Sequence, residues 1–404
     1  MRHPLPRDHF ATPLKQTPFH PRIAALMQAE AWYGWSGWLS AQVVRDEEIE
    51  YFAIRNAATL FDVSPIVKYR VEGTEAVAYL DRLLVTRVDT QPVGRAQYTA
   101  WCDDEGKILD DGLLFRHGPA SFVLCAQERH LDWLLASAVG FDVAVEEITE
   151  RLAGLALQGP TSFAVLAESG LGEVAATLKP QQFRPVEIPG VGPVTLSRTG
   201  FTGDLGYEVF LAPEQALPTW DLMWEAGQRH GITAIGAGAL ELARLEAGHV
   251  LSGSEFLPAA DAIRADRRRS PFEIGLAWMV ALDKPCHFNG RRALLAEKRN
   301  NSSKHCLVGL EIDGNVPAEH AFVYHRGKRE VGHVTVAAWS PTTKRNIALA
   351  SLERPYGDTV TGDLWVEIYA LRELVYTKTM VRARIVERPF FKPARRAATP
   401  PGQT

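Results

Sequence analysis

Short strand-like stretches interleave with short amphipathic helices along this chain, without a clean β–α–β rhythm. That pattern sets the first limit on its fold. Residues 66–71 (IVKYRV) alternate apolar and polar side chains, as a half-buried strand does. Gly73-Thr74 then opens a helix to about Leu84, with Thr74 as N-cap and Val77, Leu80, Leu83 and Leu84 on one stripe. Residues 98–101 and 112–115 read as two strands of a hairpin joined through the polar segment 103–107. Residues 122–125 add a third strand and 128–138 a second helix. Residues 61–150 therefore read as one compact α+β unit, not as half of a doubly wound sheet.

The next region is less regular. Residues 155–158 form a short strand ended by the turn signal Gly159-Pro160. Strands at 194–198 and 207–211 flank a glycine-rich connection, Thr199 to Gly206. Helices follow at 214–229, with Leu217, Trp220, Met223 and Trp224 on one side, and at 239–247, ending at Gly248. From about 270 to 387 the pattern is short strands and turns with one helix at 291–298, a β-rich C-terminal domain. Residues 397–404 are rich in Pro, Ala and Thr and read as disordered. A length of 404 residues suits two or three such units.

Composition narrows the function classes. With 44 Lys+Arg against 48 Asp+Glu the net charge is −4, which gives no footprint for nucleic acid. No apolar run approaches 18 residues, so no membrane span is expected. Residues 1–16 lack the apolar core of a signal peptide. Cys102, Cys125, Cys286 and Cys306 are widely spaced and read as reduced thiols of a cytoplasmic protein. The twelve histidines make no H-x-H or H-E-x-x-H, so no metal is expected. P-loop, G-x-G-x-x-G and G-x-S-x-G signatures are all absent.

What remains is acidic and aromatic. In Asp110-Asp111, strand alternation sends one carboxylate inward and the other to solvent. An inward carboxylate suits a ligand carrying N–H groups; the plainer alternative is a pair of turn carboxylates capping backbone N–H groups. Glu208 lies between apolar neighbours in a strand, where a carboxylate needs a partner, either a ligand or a structural ion. Trp32, Tyr33, Trp35 and Trp38 crowd one segment, as core or as a wall for a flat ligand. His249 follows a helix end, where an imidazolium would suit the dipole. Cys102 could line the site but reads as structural, and Arg395-Arg396 read as part of a solvated tail.

Several segments together resemble the folate-dependent aminomethyltransferase family, whose type member is the T-protein of the glycine cleavage system. They are Thr17-Pro18-Phe19, Leu60 to Ser64, Tyr98-Thr99, Gly106 to Asp111, Leu157 to Pro160, Arg198 to Gly203 with Gly206-Tyr207-Glu208, Arg244 to Gly248, Glu273 to Leu276, Phe288 to Arg291, Gly332 to Thr335, Ser340-Pro341 and Pro389-Phe390. Each is weak alone; their order from about 17 to 393 carries the resemblance. It implies an α+β, three-domain cloverleaf: a discontinuous domain (1–60 with 151–265), a second α+β domain (61–150), a C-terminal β-barrel (270–395) and a disordered tail (396–404). It implies ferredoxin-like and Greek-key α+β units, and tetrahydrofolate in the central hole as the one cofactor.

By the same resemblance Asp111 is the catalytic acid beside the pterin, and Tyr98, Tyr207 and Glu208 help to bind it. Trp35, Trp38 and Trp101 are the expected walls of the donor pocket. Where T-proteins carry an Arg-Asp pair, this chain has Leu240-Glu241, so a bidentate anion fork is missing. That departure points to a relative that moves a methyl or methylene group from a small or aromatic N-, O- or S-linked donor to tetrahydrofolate. A lipoyl carrier protein would be a partner only of a true T-protein. A third reading is a folate-binding regulatory protein without transfer chemistry.

Overall fold

The structure, a computed structural model, describes residues 13–358, 363–372 and 374–401. An open sheet has six strands in the order Phe183–Ile188, Gly192–Ser197, Gly206–Leu211, Ala153–Gln158, Thr59–Asp62 and Thr233–Ala234. A five-stranded sheet runs Arg95–Cys102, Ile108–Gly118, Ser121–Ala126, Val67–Glu72 and Ala144–Glu147. A closed six-stranded barrel occupies residues 305–386. A small sheet pairs Lys15–Gln16 with the hairpin Ala31–Trp35 and Trp38–Val43. The fold is α+β with a C-terminal barrel.

The chain enters the six-stranded sheet at Thr59–Asp62, crosses to the five-stranded sheet at Val67, and returns at Ala153. Leu155, Leu157, Tyr207 and Val209 face one large core with Trp220 and Met223. On the other face Phe61 and Ala156 pack with the helices Glu47–Asn56 and Ala237–Glu246. The five-stranded sheet buries Tyr69, Leu114, Phe122 and Leu124 against its own helices. Its opposite face meets the larger sheet through Phe115, Cys125, Phe183 and Phe210.

The glycine-rich connection has a local cause. The Gln158 amide donates to the carbonyls of Thr199 (3.2 Å) and Tyr207 (3.0 Å), and its oxygen accepts from the Thr202 hydroxyl (3.1 Å). A Cβ at Gly200 or Gly206 would stand 2.1 and 2.2 Å from that side-chain oxygen, so only glycine lets the loop wrap it.

Buried ions join the units. Arg55 donates to Glu246 through Nε (2.8 Å) and to the Thr202 carbonyl (3.0 Å), with both side chains almost fully buried. Ser340, in the barrel, donates its hydroxyl to the same Glu246, as does Tyr51. Arg395 grips Asp204 through Nε (2.6 Å) and Nη2 (2.8 Å). On the same helix as Glu246, Arg244 pairs with Glu255 (2.7 Å), which also accepts from Thr335 of the barrel (2.9 Å).

Three expectations are corrected. Residues 396–399 do not form a free tail: Arg198 donates to the carbonyls of Arg396 (3.2 Å) and Ala398 (2.7 Å) and to the Thr399 hydroxyl (2.9 Å), while Pro401 is buried. Residues 402–404 lie outside the described residues. His249 does not cap its helix as an imidazolium, because burial and the nearby Arg396 push its pKa down to about 4. The cap is made by backbone: the Gly248 N–H bonds the Leu245 carbonyl, with Gly248 at φ +66°. Thr74 bonds Asp142 rather than a helix N–H, and the helix begins at Ala76.

Glu246→Ala leaves the buried Arg55 without its main counterion, so it is expected to cost about 3–5 kcal/mol of stability. Urea unfolding of the variant beside the wild type measures it.

Candidate active site

The two sheets face one another, and their registers decide which side chains meet. On the five-stranded sheet Tyr98 pairs with Leu113, Leu113 with Cys125 and Cys125 with Lys68, which makes one row across four strands. On the larger sheet Ser197 pairs with Glu208, Glu208 with Ala156 and Ala156 with Phe61. Phe115 touches Phe210 edge-on with ring centroids 5.4 Å apart, which closes the contact one row outward. Beyond it a cleft of 310 Å³ opens between the same sheets.

Asp111 lies two residues before Leu113, on the face toward this gap. Tyr98 donates its hydroxyl to Asp111 Oδ2. Burial pushes the Asp111 carboxyl up to about 8, with a further push from the Asp110 charge. Asp110 points the other way and is fully buried. It accepts the backbone N–H groups of Asp111 (2.9 Å) and Glu128 (3.0 Å) and lies 3.1 Å from His130 Nε2. Alternation thus makes Asp110 the inward carboxylate, while Asp111, on the other face, is only half-buried. Asp110 is held by two backbone N–H groups and His130, whereas Asp111 has Tyr98 as its side-chain partner.

Glu208 is buried, with Thr199 donating a hydroxyl bond to its Oε2. Burial raises its pKa, while that bond and the charge of Lys68 oppose the rise. Lys68 is itself fully buried and donates to the carbonyls of Ser64 (2.9 Å) and Ile66 (2.8 Å). In the alternating segment 66–71 it reads as a solvent-facing residue, so nothing in the local pattern marks it as part of the site.

Of the other expected site residues, Tyr207 faces away from Glu208 into the large core and is fully buried. It cannot share a ligand with Glu208, because adjacent strand residues point to opposite faces. Trp101 is likewise fully buried on the helix side of its sheet, edge-on to His130 at 5.6 Å, so it is not a pocket wall. Cys102 is fully buried in the core below the barrel and does not line the site. Trp35 and Trp38 close a hairpin through Ser36 and Gly37, both at positive φ. Trp38 is buried beneath Lys15. Trp35 stacks between Tyr33 (6.5 Å) and Phe61 (6.2 Å), and its buried Nε1 has no bonding partner among the described residues. Leu240 packs in the same apolar group. Trp278, 71% exposed and 6.2 Å from Tyr98, is a further site candidate; lying in a turn, it has no sequence period to betray it.

These residues fit a reduced folate by chemistry. Glu208 offers an acceptor for adjacent N–H groups, Asp111 offers a polar edge, and Tyr98 and Trp278 offer flat surfaces. Among the described residues no group of three or more His, Cys, Asp or Glu side chains is arranged to hold a metal, and no helix is long and apolar enough to cross a membrane.

Comparison with known proteins adds an independent line. Residues 21–284 match the GCVT N-terminal domain family, and residues 305–392 match the glycine cleavage T-protein C-terminal barrel domain. The trimethylamine-oxide aldolase of Ruegeria pomeroyi is 35% identical over 357 residues, covering 84% of this chain and 43% of that protein, so this chain spans under half of its length. The aminomethyltransferase of Bacillus subtilis is 34% identical over 349 residues, 85% of this chain and 90% of the relative. The crystal structure of glycine cleavage system aminomethyltransferase T from Bartonella henselae shares the fold, with a TM-score of 0.80, 24% identity, and coverage of 94% of this chain and 99% of that one.

A raised native pKa at Asp111 means that the folded state holds a proton there that the unfolded state releases. The stability this contributes is full below pH about 3.8 and is lost as pH rises to about 8. Asp111→Asn is expected to flatten that decline, which unfolding midpoints taken across the interval would measure.

Proposed function

Because the chain belongs to the glycine cleavage T-protein family of one-carbon transferases, we propose that it moves a methyl or methylene group from a small or aromatic N-, O- or S-linked donor to tetrahydrofolate. The observation that carries this reading is the Tyr98–Asp111 pair. It holds a carboxyl of raised pKa at the gap between two sheets, with Glu208 on the opposite wall.

When bound, tetrahydrofolate supplies the nitrogen that takes up the carbon. Glu208 accepts the 2-amino and N3–H edge of the pterin in charge-assisted bonds. As the C–X bond of the donor breaks and the new C–N bond forms, Asp111, protonated near neutral pH and oriented by Tyr98, would give its proton to a basic leaving heteroatom and take up the one released by the folate nitrogen. The Tyr33–Trp35–Phe61 stack supplies an apolar wall for the donor. Two reactants held in one gap gain much of their rate from alignment. The acceptor is the only added group the scheme needs, and the partner is a small molecule in the cytoplasm.

A true T-protein, fed by a lipoyl carrier, is the second reading; the full-length likeness to an aminomethyltransferase favours it. Against it, the position of the anion-binding Arg is taken by Leu240, which packs among apolar neighbours, while Glu241 is engaged by Arg244. Reconstitution with a lipoylated carrier and glycine decarboxylase separates the two, since methylene-tetrahydrofolate formation there would establish the second.

Incubation of tetrahydrofolate with methylated amines, sulfonium compounds and aryl methyl ethers, read by folate mass, is expected to show the gain of a methyl group or a methylene bridge with one donor class. No product with any donor would instead support a folate-binding protein without transfer chemistry. Asp111→Asn is expected to lower turnover by about a hundredfold or more. Near-full turnover with normal folate binding would show that the transfer does not depend on the Asp111 proton.

A further inference from the structure

We infer that Lys68 is a positioning residue that keeps Glu208 charged, so that Glu208 can receive the N–H groups of the pterin. This rests on the reading of Glu208 proposed above and deepens it.

A fully buried ammonium is rare and needs a reason. Lys68 has two visible bonds, to the Ser64 and Ile66 carbonyls of the crossover between the sheets. An ammonium carries three N–H donors, so one is left without a bond among the described residues. Pinning the crossover would need only an uncharged donor, so the charge calls for a separate account. Among the described residues, the groups whose charge favours the ammonium are the Cys125 thiol beside it on its own sheet, then Asp62 and Glu208 of the six-stranded sheet. Asp62 already accepts the Ser64 N–H at 2.9 Å. Glu208 has Thr199 as its one hydrogen-bond donor among the described residues, and Lys68 as the cation acting on it. Burial drives Glu208 toward its neutral form, which has lost half of its capacity to accept two adjacent N–H groups. A cation across the gap opposes that drive. Tyr98, Leu113, Cys125 and Lys68 form one row, so the cation stands at the end of the row that begins beside Asp111.

The test is equilibrium binding of 5-formyltetrahydrofolate between about pH 5.5 and about pH 9, to wild type, Lys68→Met, Lys68→Gln and Glu208→Gln. Protonation of Glu208 ends binding on the acid side, so loss of the cation moves that limit to higher pH. Both Lys68 variants are expected to shift the acid limb up by about one pH unit or more and to converge on wild type near the alkaline end, where Lys68 itself, held down to about 8 by burial, has lost its charge. Lys68→Gln matters because it keeps two N–H donors, on a side chain one atom shorter, and loses the charge. A uniform loss at every pH, or an unmoved limb, overturns the inference. Glu208→Gln is expected to bind weakly throughout. If it binds as wild type does, the reading of Glu208 itself fails; if it weakens while the limb of the Lys68 variants stays put, only the role of Lys68 fails. Infrared spectra of wild type minus Glu208→Gln at neutral pH give a check independent of how the Lys68 variants fold. An ionised carboxylate is expected, and the carbonyl band of a protonated acid would overturn the inference.

Discussion

The Arg55–Glu246 ion pair is the contact on which the remaining architecture leans. Both groups are almost fully buried, one on each of two helices that cover the six-stranded sheet, and the barrel adds the Ser340 hydroxyl to the same carboxylate. Two residues earlier on the helix, Arg244 reaches Glu255 and through it Thr335 of the barrel. The motif Arg244 to Gly248 is therefore a joint: it fixes how the barrel sits against the helices. Such pairs hold a geometry more than they add net stability, because desolvation offsets much of their attraction.

Where the two sheets face one another, Glu208 and Lys68 are buried, while Tyr98 and Asp111 are half-buried. Burial and neighbouring charge set the character of these groups. Asp111 is pushed toward its neutral form, Glu208 is pushed the same way and restrained by Lys68, and Tyr98 is bonded where an open site would offer it water. The carboxylates differ in character because their surroundings differ: one has a phenol and a nearby like charge, the other a hydroxyl and a cation.

Much of this is legible in the sequence, and the misses have physical reasons. Asp111 and Glu208 stand out as carboxylates in apolar strand contexts, and the order of the motifs names the fold. Tyr207 and Trp101 group with the site by nearness in sequence, although strand alternation carries Tyr207 to the face opposite Glu208 and Trp101 to the side of Asp110. Lys68 is hidden because a lysine in an alternating strand reads as solvated; only a second sheet laid over that face makes it buried. The chain end at 396–399 is hidden because Arg198, which gathers its carbonyls, lies about two hundred residues away. The helices Ser162–Glu168 and Gly172–Thr177 escape notice because they are too short to show a period.

The hairpin that carries Trp35 is held to the opposite wall by its tip. Arg129 donates to the Ser36 carbonyl (2.7 Å) and Ser36 to the Gln127 carbonyl (3.2 Å), so the hairpin is anchored on the loop that follows Ser121–Ala126. Tyr33 and Trp35 thus lie on a separate piece of chain from the strands bearing Asp111 and Glu208, whereas Phe61, which completes the stack, shares a register row with Glu208 through Ala156. The hairpin can therefore vary at Tyr33 and Trp35 without altering either strand, provided that the two-residue turn and its anchor persist.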